Sequence, residues 1–286
     1  MGAIFRHELR NYFHSLTAYV FGAFLLAVVG LGSVLYNLQA AVSNFEFVLS
    51  FASIIFVVIV PILTMRTLAE ERQRTDQLLY SLPITTTQVV LGKYFALLVV
   101  YLIPLAVVSL YPLLFSQFGE VYLPTSYGSL FAFFMMGAAL LAVGMFLSSL
   151  TDNQGFAAGI GIAAILLNYY SVSLAEYTSS TAMGSLIALY VIALLLGVVI
   201  HNLTRNENLA YGVTLVLIAA LSVAYFVNSS AFEGLLPDIM TKLSLFRQFN
   251  SFVNGAFDLT AIVYYVSVMG FFLFLSVQSM EKRRYN

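Results

Sequence analysis

Eight stretches of this chain run for at least 19 residues without an Asp, Glu, Lys or Arg: 11–45, 47–65, 94–119, 121–151, 153–175, 177–204, 208–232 and 259–280. The next longest gap, 77–92, has 16 residues. About 20 apolar residues in a helix cross the roughly 30 Å hydrocarbon layer of a bilayer. A membrane β-barrel would instead show segments of about ten residues with alternating polarity. The runs here are continuous, so the pattern predicts an all-α polytopic membrane protein with eight transmembrane helices.

Three segments outside those runs have a pattern of their own. Phe5, Leu9, Tyr12 and Phe13 fall at i, i+4, i+7 and i+8, with Arg6, His7, Arg10 and His14 elsewhere. That spacing predicts an amphipathic interface helix over 1–16, lying on the membrane before span 1. Residues 66–83, between spans 2 and 3, contain no glycine and no proline before Pro83, and Glu70 and Arg74 are i,i+4 partners. A helix ended by Pro83 is expected there. Thr85-Thr86-Thr87-Gln88 has capping-box spacing and is expected to start the helix that continues into span 3. In 230–258, Leu236, Ile239, Met240 and Leu243 repeat at helical spacing and predict a second amphipathic segment, on the opposite side. Span 5 carries Gly155-x-x-x-Gly159 and then Gly161, a spacing that lets helices approach closely, within the chain or between subunits.

Composition narrows the class. Hydrophobic residues make up 61% of the 286 and charged residues 9%, against about 25% charged in a typical soluble domain. So few charges cannot cover a soluble domain, and disorder is excluded by the same count. The positions of the 12 cations set an orientation. Arg6, Arg10, Arg66, Arg72, Arg74, Lys93, Arg205, Lys282, Arg283 and Arg284 fall on one side of an eight-span chain, and only Lys242 and Arg247 on the other. The positive-inside rule then places both termini in the cytoplasm. No cysteine is present, so disulfides and thiolate metal sites are excluded. No basic cluster suggests nucleic acid as a partner.

The chemistry that is missing matters as much. His7, His14 and His201 form no metal-ligand pattern, and Ser148-Ser149 has no partner base, so no catalytic residue and no metal site is expected. Transporters driven by protons or sodium usually keep ionisable groups inside the membrane, and none of the eight runs contains an Asp or Glu centre. If the chain moves a solute, its energy comes from elsewhere. Gly92-Lys93 lacks the rest of a phosphate loop, so any ATPase is another polypeptide. Three readings stay open from the residues: a permease driven by a separate ATPase, a stand-alone secondary transporter or channel, and a non-transporting membrane scaffold for an ATPase.

The string Pro61-x-x-Thr-Met-Arg-x-x-Ala-Glu-Glu-Arg72, then Arg74-Thr-Asp-Gln-Leu-Leu79, Pro83 and Gly92-Lys93, resembles the permease subunits of ABC-2 type ABC transporters. The similarity is greatest to the bacterial group of gliding-motility-type permeases and their Gram-positive relatives. Ser149-Leu-Thr-x-Asn-Gln154, Phe252-x-x-Gly255-x-x-Asp258-Leu259, Tyr264-Tyr265 and Glu281-Lys-Arg-Arg284 extend the resemblance.

The resemblance implies one permease domain over 1–286 in a bacterial plasma membrane, dimeric with a second copy or a paralogue. It also implies docking on ABC ATPase subunits that hold ATP and Mg; this chain itself would carry no cofactor. The 66–83 helix would be the coupling helix, with Arg66, Glu70, Glu71, Arg72, Arg74, Thr75, Asp76, Leu78, Leu79 and Pro83 as its contacts. Phe5, Arg6, Leu9 and Arg10 of the interface helix would make the other contact. Phe47, Phe51 and Phe56 of span 2 and Asn168 and Tyr169 of span 5 would line the path, fitting an exported amphipathic or hydrophobic substrate. The family core has six spans, so 183–229 reads as an extra helical hairpin.

Overall fold

The computed structural model describes residues 2–40, 42–69, 85–204 and 206–284. Their contacts fall into two compact units, Met1–Tyr169 with Gln248–Asn286, and Tyr170–Arg247. Among the described residues every regular element is a helix.

The first unit opens with α1 (Gly2–His14) and α2 (Leu16–Ser33), which continues as a π-helical turn over Val34–Gln39. Next come α3 (Phe45–Ser53) and α4 (Phe56–Thr64), bent by 57° to each other at Ile54–Ile55. Beyond residue 84 follow α5 (Thr86–Val108), the short α6 (Tyr111–Phe115), α7 (Leu123–Ser149) and α8 (Gln154–Tyr177), whose last turns pass into the second unit. The second unit holds α9 (Ala182–Thr204), α10 (Glu207–Val227) and α11 (Leu235–Lys242). The chain returns through α12 (Leu245–Val253) to α13 (Leu259–Arg284).

Each charge-free run is occupied by helix. Among the described residues six segments are long and apolar enough to cross a membrane: Leu16–Gln39, Thr86–Phe115, Leu123–Ser149, Gln154–Tyr177, Glu207–Val227 and Leu259–Lys282. The α3–α4 pair makes a seventh if it counts as one broken span, and Ala182–Val198 in the sixth run is a shorter apolar helix. The difference from eight uniform spans has a local cause. At the break, Ile55, Val57 and Val58 donate to the carbonyl three residues back, and the Ser53 hydroxyl bonds Ser50 O at 2.7 Å. Tightened turns and hydroxyl back-bonding of this kind bend a helix. Outward faces of the spans stay rich in exposed Leu, Val and Phe, which suits lipid and not water.

Helix α7 is the axis of the first unit, packed by α3, α4, α5 and α13. Its small residues make this possible. A Cβ added to Gly137 would lie 2.5 Å from the Tyr101 hydroxyl, which itself bonds Phe133 O at 2.8 Å. Gly144 makes the same concession to Thr64 of α4. Of the span 5 glycines, Gly161 meets Pro61 within the chain, whereas Gly159 has nothing within 4 Å.

In the second unit α9 and α10 form a hairpin, with Tyr190 and Ser222 bonded hydroxyl to hydroxyl at 2.6 Å. Helix α11 is pinned to the start of α9: Gly234 N donates to Ser180 O and Leu236 N to Ser185 Oγ. On α11, Leu236, Ile239 and Met240 are half-buried, while Asp238 and Lys242 pair at 2.7 Å. Leu243, expected on the same apolar face, is exposed because the helix has ended.

Candidate functional site

Helix α1 buries the apolar side of the pattern. Tyr12 is buried, Phe5, Leu9 and Phe13 are half-buried, and Arg6, His7, Arg10 and His14 face outward. One acid, Glu8, shares the inner face, three residues from Phe5 and four from Tyr12. Its carboxylate lies 3.1 Å from Lys93 Nζ on the first turns of α5. Lys93 is only 4% exposed, and its ammonium also donates to Thr67 O at 2.8 Å. Tyr12 Oη and Thr67 Oγ1 meet at 3.5 Å. A single buried cation thus ties α1, the turn after α4 and the start of α5 together.

The same turn is held from the other side by α7. Ser148 Oγ accepts from Leu68 N at 3.3 Å and Ala69 N at 3.2 Å, and donates to Met65 O at 3.1 Å. Leu68 and Ala69 are fully buried. Ser279 of α13 donates to Ser149 O, which ties the last helix to the same end. On the far side of stretch 70–84, Thr85 Oγ1 accepts from Gln88 N at 3.3 Å and caps α5, as the capping-box spacing predicts. The described residues on either flank of that stretch are therefore held by the bundle: Thr67, Leu68 and Ala69 by Lys93 and Ser148, and Thr85 as the cap of α5. A segment anchored at both ends to rigid helices can pass a displacement into them.

Of the coupling residues, Glu70, Glu71, Arg72, Arg74, Thr75, Asp76, Leu78, Leu79 and Pro83 lie outside the described residues. Arg66 is described and exposed, and lines a cavity beside α2. The residues expected on a path are dispersed. Phe47 is exposed and Phe51 half-buried, one turn apart on α3, with the Phe51 ring against Tyr36 at 5.9 Å. Phe56 lies beyond the break, 1% exposed, its ring 4.7 Å from Phe133 and 5.8 Å from Tyr101. That is a packing position in the core of this unit. Asn168 and Tyr169 are half-buried on α8.

Sequence reasoning missed four side chains of this site: Glu8, Thr67, Lys93 and Ser148. The one available signal was Glu8, an acid on an otherwise apolar face. It also missed Glu46, read as a boundary between spans 1 and 2. Glu46 stands in the first turn of α3 and is 2% exposed. Ser126 Oγ of α7 donates to its Oε1 at 2.9 Å, and its Oε2 has no hydrogen-bond partner among the described residues. An ionisable group is therefore buried among the helices, although the charge-free runs place it between two of them.

A family model described as ABC-2 family transporter protein matches residues 31–175, just over half of the chain. The match takes in the bent pair, stretch 70–84 and α5 to α7; the α9–α10 hairpin lies beyond it. No curated protein and no solved structure matches the chain.

Proposed function

The chain belongs to the ABC-2 transporter family as a multi-pass membrane permease component, and from that premise we propose that it couples to separate ATPase subunits through stretch 66–83. In this reading the residues at the α1 end face the cytoplasm of a bacterial cell. Two permease copies, or this chain and a paralogue, stand over two ATPase subunits that hold ATP and Mg. Glu70, Glu71, Arg72, Arg74 and Asp76 supply docking specificity, since mixed charges on a short segment discriminate partners more than they add affinity. Leu78 and Leu79 anchor the segment. Arg6 and Arg10 of α1, exposed beside it, supply the second contact.

The observation that carries this reading is the anchoring of both flanks of stretch 70–84, with Lys93 at its centre. A solvated loop whose only task is topology needs no buried ion pair beneath it. The direct test replaces Glu71 and Arg72 by Ala. Recovery of the ATPase subunit with the purified permease falls, while membrane insertion is unchanged. Unaltered recovery of the complex would remove the assignment.

The proposed substrate is amphipathic or hydrophobic and is exported. Phe47 and Phe51 on α3, with Asn168 and Tyr169 on α8, offer aromatic surface with few polar groups. ATPase stimulation by hydrophilic solutes alone would contradict this. Glu46 is the one feature that favours a stand-alone secondary transporter, because such carriers use buried carboxylates as coupling groups. Flux that persists without any ATPase and is lost in Glu46→Gln would establish that reading instead.

A further inference from the structure

Where α2 and α4 run side by side, their outward faces leave an apolar cavity of about 410 Å³. Its walls are two stripes at one-turn spacing. Leu16, Val20 and Phe24 form the α2 wall; Val58 and Ile62 form the α4 wall. All five are exposed. Four residues beyond Ile62, in register with that second stripe, is Arg66, which closes one end. Among the described residues Arg66 has no ion pair and no hydrogen bond.

No side chain of the described residues fills this groove. Helix α2 is one of the apolar spans, so its outer face lies against acyl chains. Hydrocarbon alone would not distinguish one lipid from another. Arg66 does. It is the neighbour of Thr67, whose hydroxyl meets that of Tyr12 on α1, the helix that leads into α2. Cations at the ends of membrane helices reach the head-group layer. A guanidinium there binds a phosphate through paired N–H donors, in a geometry an ammonium cannot match.

We propose that the α2–α4 groove is a binding site for a bilayer phospholipid with a net negative head group. One acyl chain lies between the Leu16–Phe24 and Val58–Ile62 walls, and the phosphate rests on Arg66. Arg66, the first residue of the stretch expected to meet the ATPase, thereby belongs to the lipid side of that end. The proposal is independent of ATPase coupling, because its readout is retained lipid.

The test is native mass spectrometry of the purified protein after exchange into mixtures of phosphatidylglycerol and phosphatidylcholine with identical chains. The wild type retains phosphatidylglycerol with about five-fold preference, the factor expected of one cation near an anionic head group. Arg66→Gln removes the preference but keeps a lipid bound, and Arg66→Lys restores part of it. Val58→Trp and, on the facing wall, Val20→Trp fill the groove and lower retention of both lipids. An unchanged preference in Arg66→Gln, or unchanged retention in both tryptophan variants, would overturn the proposal. So would a disulfide-linked dimer of Val20→Cys, readily scored in a chain without cysteine, because a second copy would then cover the groove.

Discussion

Replacing Lys93 by Met keeps the aliphatic stem and deletes the ammonium. Two of its contacts that go with it are the 3.1 Å pair with Glu8 and the 2.8 Å bond to Thr67 O. Removing one partner of a buried ion pair costs about 3–5 kcal/mol, because the other charge is left without compensation. The Glu8 side chain keeps 16% exposure, so water relieves part of that cost and the lower end, about 3 kcal/mol, applies. In the double variant Glu8→Leu/Lys93→Met the Glu8 carboxylate is no longer left behind. Apolar replacement of both partners is often neutral, so the residual loss is about 1 kcal/mol for the Thr67 carbonyl that lacks its donor. Lys93→Met alone is then about 2 kcal/mol less stable than the double variant, an order that independent sites would not give. Detergent-titration unfolding in mixed micelles measures each stability. A single cysteine at Leu9, half-buried on the inner face of α1, gives a second readout: maleimide labelling is slow with Lys93 and fast in Lys93→Met. Additive single and double variants, or a Lys93→Met protein as stable as wild type with slow labelling, would refute the clamp.

Ser148→Ala leaves the buried Leu68 and Ala69 amides without an acceptor and lowers stability by about 2–4 kcal/mol in the same unfolding assay. Gly137→Ala forces a methyl against the Tyr101 hydroxyl and destabilises by about 1–3 kcal/mol. Gly159→Ala, with open space around it, leaves the isolated subunit within about 0.5 kcal/mol of wild type. If Gly159→Ala also dissociates the dimer on size exclusion, Gly159 lies at a subunit interface. Glu46→Gln retains an acceptor for the Ser126 hydroxyl and unfolds close to wild type, whereas Glu46→Ala costs about 1–3 kcal/mol.

The helices, the amphipathic face of α1 and the Thr85 cap are legible in the sequence because each depends on residues within one or two turns. The family resemblance is legible from 61–93 for a similar reason: its motif residues lie close together. What escapes is set by distant partners. Glu46 reads as a boundary because a hydropathy count sees a charge and not Ser126, 80 residues away. Lys93 reads as a topological cation because Thr67, 26 residues earlier, and Glu8 on another helix become its partners only after packing. The α3–α4 break is hidden inside an unbroken apolar run, since a change of helix direction alters no residue's hydropathy. Helix α12 is missed because its buried Leu245, Phe246, Phe249 and Phe252 sit in a short segment between loops. Phe56, an aromatic on a span expected on the path, is packed in the core of the first unit, a difference that depends on Tyr101 and Phe133 and not on its own neighbours in sequence.

Whether stretch 66–83 meets the ATPase is tested most directly by a single cysteine in a chain that has none. Gln73→Cys in the assembled transporter, treated with a short bifunctional maleimide, gives a crosslink to the ATP-hydrolysing subunit. Thr241→Cys on α11, assigned to the opposite side, gives none. A Gln73 crosslink found only to lipid-exposed or permease partners, or an ATPase crosslink from Thr241 in its place, would contradict the account.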